Sequence, residues 1–454
     1  MKDMTQGSIG KHLIEMAVPM AAGMIVQTLY FMVDLYFVAR LGDSAIAGVS
    51  SAAAVTFVVM GLTQMLGVGT VALIAQAVGR KDRDDANLIF NQSLVLSALC
   101  AVIALVAGYG FSGAYMRAIG ADEATMAAGI SYLHWYTPGL ALQFALIAMG
   151  SALRGTGIVA PTMIVQMITL GLNIVFAPIL IAGWGTGYPM GVAGAGLAST
   201  LAIVVGVVVL AVYFMRLEKY VSFHADQWAP RFETWRRMLT LGLPAGGEFA
   251  LMFVFMAVTY GVIGHFGSAA QAGFGIGSRV MQAIFLPAMA VAFAVPAVAG
   301  QNFGARLPDR VRETFRIAVL FGIVAMVLPM LLCKWQPALL IGIFSSEPAV
   351  IEVGAGFLAV ISWNFVLSGV IFTCSGMFQA LGNTLPALAS TALRLTLYAL
   401  PAIWLSRQPG FELKHVWYLS VATTLLQTTV SLVLVRWQMN KRLPALSTPA
   451  PAAS

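Results

Sequence analysis

Apolar runs long enough to cross a bilayer recur along the whole chain, separated by short polar stretches. A spanning helix needs roughly 20 mostly apolar residues. The pattern predicts twelve such helices, at about 13–39, 44–76, 88–112, 127–152, 159–183, 191–215, 238–265, 269–300, 314–334, 350–379, 385–405 and 414–436. Several are long enough to tilt or to project beyond the membrane. No block has the mixed pattern of a separate soluble domain. The expected fold is therefore an all-α integral membrane protein. Composition agrees: only 9% of the 454 residues are charged, and the mean hydropathy is +0.87, whereas soluble domains carry about 25% charged residues. The stretch from Met1 to Glu15 lacks the features of a signal peptide, so the first apolar run is expected to stay as a helix.

Charge orients the spans. With both termini in the cytoplasm, 18 of the 25 Lys and Arg residues fall in inner loops and span edges, among them Arg80, Lys81, Arg83, Arg231, Arg236, Arg237, Arg310 and Arg442. The outer side holds Arg40, Arg117, Lys334, Arg407 and Lys414. Arg279 and Arg394 lie well within spans. This bias obeys the positive-inside rule. It accounts for the net charge of +7 without nucleic acid. Cys100, Cys333 and Cys374 are scattered among apolar runs, with neither disulfide nor metal spacing. The five histidines form no cluster, and no phosphate-binding loop of the G-x-x-x-x-G-K-[ST] type occurs. No cofactor, no metal and no enzymatic activity are expected.

The second half repeats the first at an offset of 225 residues. Pro19 pairs with Pro244, LGDSAIAG from Leu41 with FGSAAQAG from Phe266, QAVGRKDRDDA from Gln76 with QNFGARLPDRV from Gln301, and RGTGIVAP ending at Pro161 with QALGNTLP ending at Pro386. Each half holds an even number of spans, so the halves are parallel repeats about an axis along the membrane normal. The expected division is a bundle over 1–215, a basic cytoplasmic linker over 216–237, a second bundle over 238–437 and a disordered tail over 438–454. Two such bundles around a central cavity suit alternating access.

Within the first span, FMVDLYFVAR contains the only acidic residue between Glu15 and Asp43. A carboxylate in the bilayer is costly, and intramembrane ionisable groups are functional by default. Asp34 is about 7–8 Å from the predicted outer helix end at 1.5 Å per residue. An interfacial pairing with Arg40 is the structural alternative, but six residues place Arg40 roughly 120° away around the helix. Gly23, Gln27, Tyr30 and Asp34, at spacings of four, three and four, form one small and polar face that should look inward. Neutral, the acid can carry a proton; ionised, it can hold a cation. The repeat partner of Asp34 is Thr259, so this chemistry belongs to the first bundle alone.

The six-plus-six parallel repeat, the MAVPM opening, VDLYFVARLG, the QAVGRKD loop, ALRGTG and the LGLP that opens the second half together resemble the multidrug and toxin extrusion (MATE) family, bacterial NorM-like and DinF-like members included, over about residues 8–440. That resemblance implies a secondary antiporter of the bacterial cytoplasmic membrane, expected to act as a monomer. It would export amphipathic organic cations while H⁺, or alternatively Na⁺, runs inward. In the mechanism it implies, a proton from outside neutralises Asp34, rearranges the first bundle and releases cargo outward. Asp34 resembles the family's acidic position on the first helix. The DinF-like Asn-x-x-x-Asp-Pro pattern of the fifth helix is NIVFAP here: Asn173 and Pro178 match, but Ala177 replaces the Asp. Ser199, followed by Thr200, is similar in position to a sixth-helix Thr of the family. Helix–helix hydrogen bonding is the alternative for Asn173 and Ser199. The cation-binding Glu of NorM-like members would fall at Met252 and their tenth-helix Asp at Ser368, so the loss of these acids favours H⁺ through Asp34.

In the second bundle, Glu248 is expected to start the seventh helix near the inner side, as a coupling carboxylate or as an interfacial cap. Arg279 needs a partner if buried, with Glu248 one candidate and cavity water the other. Gln282 and Asn364 are polar positions in apolar spans and read as cargo ligands or as helix-packing groups. Gln27, Tyr30, Phe31, Tyr260 and Trp363 complete the expected cavity lining. A lipid-linked oligosaccharide flippase of the same superfamily is the alternative function, although it would want more basic residues within spans. Membrane lipid is the expected surrounding partner.

Overall fold

The computed structural model describes residues 1–119 and 122–444, and no strand occurs among them. The first half comprises α1 (Ile9–Ala39), α2 (Asp43–Gly79), α3 (Arg83–Ala118), α4 (Glu123–Gly155), α5 (Ala160–Ala182) and α6 (Val192–Arg216). The second comprises α7 (Phe232–Ile263), α8 (Ser268–Gly304), α9 (Pro308–Trp335), the short α10 (Pro337–Gly342), α11 (Pro348–Ile361), α12 (Trp363–Ala380), α13 (Leu385–Leu405) and α14 (Leu413–Arg442). Eleven of these helices, with the 3-10 turn after α7 counted into its span, are long and apolar enough to cross a membrane, and α11 with α12 make a twelfth span bent by 53°. The bend falls at Ser362, whose hydroxyl donates back to the Ala359 carbonyl at 3.0 Å, a local bond that competes with the helix ladder. The expected continuous span 350–379 is thus a broken one.

Helix ends follow from capping chemistry. Asp82 accepts the Asp85 amide at the start of α3, and Asp122 accepts the Thr125 amide at the start of α4. Hydrogen bonds from Thr125 hold the Asp122 carboxyl below its ordinary range, so this cap stays charged. Proline stands in the first turns of α5, α9 and α13, where its missing N–H costs nothing.

The repeat is visible in the backbone. Gly42 and Gly267, 225 apart, share φ of 107° and 94°, and Gly157 and Gly382 share 82° and 73°. Both pairs occupy the left-handed region that glycine enters without penalty. Lys81 and Arg306, also 225 apart, are the non-glycine residues with positive φ among the described residues, at 60° and 59°.

Two compact units result: Ala22–Gly242 with Met1–Lys2, and Leu243 onward with Asp3–Ala21. In the first, α4 packs on α2, α3 and α6; in the second, α8 packs on α9, α11 and α12. The hydrophobic effect does not press helices together in lipid, so close packing must. A Cβ on Gly48 would stand 2.7 Å from the Gly129 amide, and one on its repeat partner Gly273 would stand 2.9 Å from the Gly354 amide.

The basic segment between the halves is bound along α3. Asn87 donates to the Tyr220 carbonyl and accepts the Ser222 amide. Asn91 donates to the Ser222 carbonyl and accepts from the His224 amide and the Trp228 indole. Gln92 donates to the Gln227 and Ala229 carbonyls and accepts the Arg231 amide. Helix α7 begins at Phe232, inside the stretch expected as linker, because the amphipathic Phe232–Leu239 extends the helix before its apolar run starts. At the other end α14 continues to Arg442, into the expected tail, and 445–454 lie outside the described residues.

Candidate functional site

Asp34 lies on α1 with 7% of its surface exposed. The face predicted from spacing is the packed one: Gly23, Tyr30 and Asp34 are buried and Gln27 is half-buried. The lack of a side chain at Gly23 lets Gln166 of α5 reach the α1 backbone, since a Cβ there would stand 2.1 Å from its Oε1. Asp34 Oδ2 accepts a long hydrogen bond from the Tyr132 hydroxyl of α4 at 3.5 Å. Arg40 turns away from Asp34, donating to the Tyr36 hydroxyl and stacking 4.7 Å from that ring, so the interfacial pair does not form.

Three further groups close the site. The Tyr30 hydroxyl is placed beside Ser199, Asn173 and Asp34. Asn173 of α5 donates to Ser199 Oγ of α6 at 3.3 Å. Asp34 Oδ1, Asn173 Oδ1 and the Tyr30 hydroxyl are all buried with no hydrogen-bond partner. Buried polar atoms are normally satisfied, so these three oxygens, one of them the carboxylate's own, stand out as unsatisfied positions in the first half. Thr200 is elsewhere: its hydroxyl donates to the Trp135 carbonyl at 2.6 Å and ties α6 to α4. Ala177 is fully buried, with no second acid in its place.

Tyr132 was not among the expected residues. With Tyr136 it forms a ring pair 5.2 Å apart on α4. The signal for both was the four-residue spacing of two tyrosines after Gly129, a packed glycine, on one helix face.

The second half holds a different polar knot. Glu248 sits midway along α7 rather than at its start. It accepts from Ser375 of α12 at 3.3 Å and from Thr391 of α13 at 3.4 Å. Gln427 of α14 donates to Thr391 at 3.0 Å. Among the described residues no ion pair joins Glu248 to Arg279, which is exposed on α8. Asn364 donates to Ser420 of α14 and leaves its Oδ1 unpaired. Tyr260 packs edge-on against Phe274 at 4.9 Å. Trp363 is exposed beneath the Lys334 ammonium, 4.1 Å from its ring centroid. Phe31 and Gln282 are exposed.

Among the described residues no group of His, Cys, Asp and Glu could hold a metal ion. The first-half site offers oxygens only, with one carboxylate.

Known proteins share this fold. The chain is similar to the probable multidrug resistance protein YoeA of Bacillus subtilis (strain 168), with 26% identity over 417 residues, 90% of this chain and 88% of the relative. It is equally similar to the multidrug export protein MepA of Staphylococcus aureus (strain MRSA252), with 26% identity over 378 residues, 82% of each. Its fold matches a crystal structure of MATE in the bent conformation, with a TM-score of 0.92 at 24% identity, covering 98% of each chain. The MatE family matches residues 19–179 and 244–405, two segments that start 225 residues apart, as the repeat does. With both halves matched, this multi-pass membrane protein belongs to the MatE family.

Proposed function

We propose that this chain is a secondary active multidrug efflux antiporter that exports amphipathic organic cations in exchange for inward H⁺ by alternating access. The observation that carries the reading is Asp34, a buried carboxylate with one long hydrogen bond and two orphaned oxygens beside it. The names of the YoeA and MepA relatives, multidrug resistance and export, support the cargo class. An ionised, uncompensated carboxylate in this place is costly. A proton on Asp34 relieves that cost and turns an acceptor into a donor among unsatisfied acceptors. A cationic cargo relieves it as well, so proton and cargo exclude one another at a single group, which is the requirement for exchange. H⁺ is favoured over Na⁺ because Asp34 stands alone: Ala177 adds no second carboxylate.

The bodies that move are the repeat halves, 1–215 and 238–437, joined by 216–237. The termini lie on the cytoplasmic side of the bacterial inner membrane, and the chain acts as a monomer. Glu248 is a second carboxylate for coupling, held by hydroxyls rather than by Arg279.

The test is efflux of rhodamine 6G from proteoliposomes under an imposed pH gradient or an imposed Na⁺ gradient, with wild type and Asp34→Asn compared. The expected result is pH-driven efflux by wild type and a loss of at least about tenfold in the folded variant. Efflux driven by Na⁺ alone would replace H⁺ as the coupling ion, and normal transport by Asp34→Asn would remove Asp34 from the mechanism.

A further inference from the structure

A cavity of about 350 Å³ opens between the start of α13 and the end of α14. Asn383, Leu434, Trp437, Gln438, Lys441 and Arg442 line it, with the first turns of α13 on the other side. Lys441 and Arg442 end α14, and Leu434 lies seven residues deeper, about 10 Å at 1.5 Å per residue. The Lys441 ammonium stands 5.1 Å over the Trp437 ring. Arg442 uses one of its five donors on the Leu381 carbonyl. Neither cation has a carboxylate partner among the described residues. No acid lines the cavity, and 443–454 contain none. Asn383 Oδ1 accepts the Leu385 amide at 3.3 Å, so its NH2 group is left to donate. Gln438 is only 3% exposed, yet its Oε1 has no hydrogen-bond partner.

Two cations without a counter-ion, a free amide donor and an unsatisfied buried amide oxygen call for an anion that also carries hydroxyls. The positive end of the α13 dipole adds to the attraction, and two full charges outweigh the negative end of α14, about half a charge. Inorganic phosphate would meet the cations but not the apolar depth at Leu434 and Ala389. A phospholipid meets both. Tryptophan beside a basic residue is characteristic of headgroup level, and basic pockets between spanning helices at the cytoplasmic face hold anionic headgroups.

The scaffold does not demand these residues. Subtracting 225 from Asn383, Trp437, Gln438 and Arg442 gives Ile158, Val212, Tyr213 and Leu217, and Lys441 alone keeps its charge, as Arg216. The same backbone plan thus carries a mostly apolar set in the first half. We propose that the cavity binds one anionic phospholipid, phosphatidylglycerol in kind, from the leaflet on the side of the basic loops. Lys441, Arg442 and the Asn383 amide hold the phosphate, and Gln438 accepts a headgroup hydroxyl. The acyl chains leave past Leu434 and Trp437 into the bilayer. This inference needs only that the chain spans a membrane, and it is independent of cargo and coupling ion.

Native mass spectrometry of the purified full-length protein in detergent tests this, by titration with phosphatidylglycerol or with phosphatidylcholine of the same acyl chains. Wild type is expected to bind phosphatidylglycerol at least about tenfold more tightly. Lys441→Gln should weaken that binding about fivefold, the loss expected for one interfacial cation, and leave phosphatidylcholine within about twofold. Arg436→Gln removes an exposed charge of the same helix that does not line the cavity, and it should move neither lipid by more than about twofold. Equal lipid affinities in wild type, no loss in Lys441→Gln, or an equal loss in Arg436→Gln would each overturn the site. Inorganic phosphate in large excess should leave the lipid bound. Displacement by it would make this a free-anion site and sink the lipid assignment. If Lys441→Gln does not fold, wild type decides by location. Phosphatidylglycerol with a diazirine at the head of one acyl chain should crosslink within 383–389 or 434–442. Crosslinks elsewhere, or the same pattern from the phosphatidylcholine analogue, refute the proposal.

Discussion

Asp34 depends on very few neighbours, and that makes its surroundings sensitive to single atoms. The Tyr132 hydroxyl is its one hydrogen-bond donor among the described residues. Tyr132→Phe removes that oxygen and little else. Leaving a buried acceptor unsatisfied costs about 1–3 kcal/mol, so the variant should melt measurably lower in a detergent-solubilised thermal scan. It should still transport, because the carboxylate remains, and this separates it from Asp34→Asn. A variant with wild-type melting would show that the long contact contributes nothing. Legibility at this scale was uneven for a physical reason. Asp34 and its polar face stand out because an apolar helix has few other polar groups. Tyr132 does not, since a tyrosine in a span reads as packing until its hydroxyl is seen to point at something. Glu248 was placed at a helix start because the apolar run begins nearby, yet the helix itself starts at Phe232. Of the two alternatives for Arg279, the tie to Glu248 does not form and the side chain is exposed; periodicity fixes which face a residue lies on, but not which neighbouring helix meets that face.

Helix-level features were read more reliably, because a repeat is a statement about backbone as well as sequence. The paired glycines and the paired Lys81 and Arg306 conformations are what the matched motifs encode. The break at Ser362 was missed, since a hydroxyl that bends a helix is indistinguishable in sequence from one that does not. Gly48 shows how tight the repeated crossing is. A Cβ there would meet the Gly129 amide, Ala128 and the Thr125 carbonyl, all within 2.8 Å. Gly48→Leu should therefore force α2 from α4 and cost at least about 1–3 kcal/mol, read as loss of folded yield or a lower melting temperature. Gly356→Ala, where nothing stands within 4 Å, should be neutral or stabilising by up to about 1 kcal/mol. If both behave alike, the crossing is looser than described. The linker gives a second test. Asn91 makes four bonds to it, so Asn91→Ala should raise tryptic cleavage at Lys219 and Arg231 about tenfold by freeing the segment. An unchanged digestion pattern would mean that Asn87 and Gln92 hold it unaided.

The whole chain is a pair of halves with one backbone plan and two charge plans, and its orientation is what gives that difference a direction. Basic residues concentrate at one set of loops, and moving those loops across the bilayer would set many charges against the positive-inside bias. The arrangement predicts that Asp226, exposed in the linker, faces the cytoplasm, and that Gln408, exposed between α13 and α14, faces outward. Labelling with a membrane-impermeant maleimide checks this in intact cells. Cys333 and Cys374 are buried and Cys100 is half-buried, so replacing all three with serine removes a small background first. Gln408→Cys should then label at once, and Asp226→Cys only after the membrane is opened. The reverse pattern would turn the molecule over. Asp34, near one end of α1, would then load its proton from the cytoplasm, and an inward proton gradient could no longer drive cargo out through it. The direction of transport therefore rests on this topology as firmly as on the carboxylate.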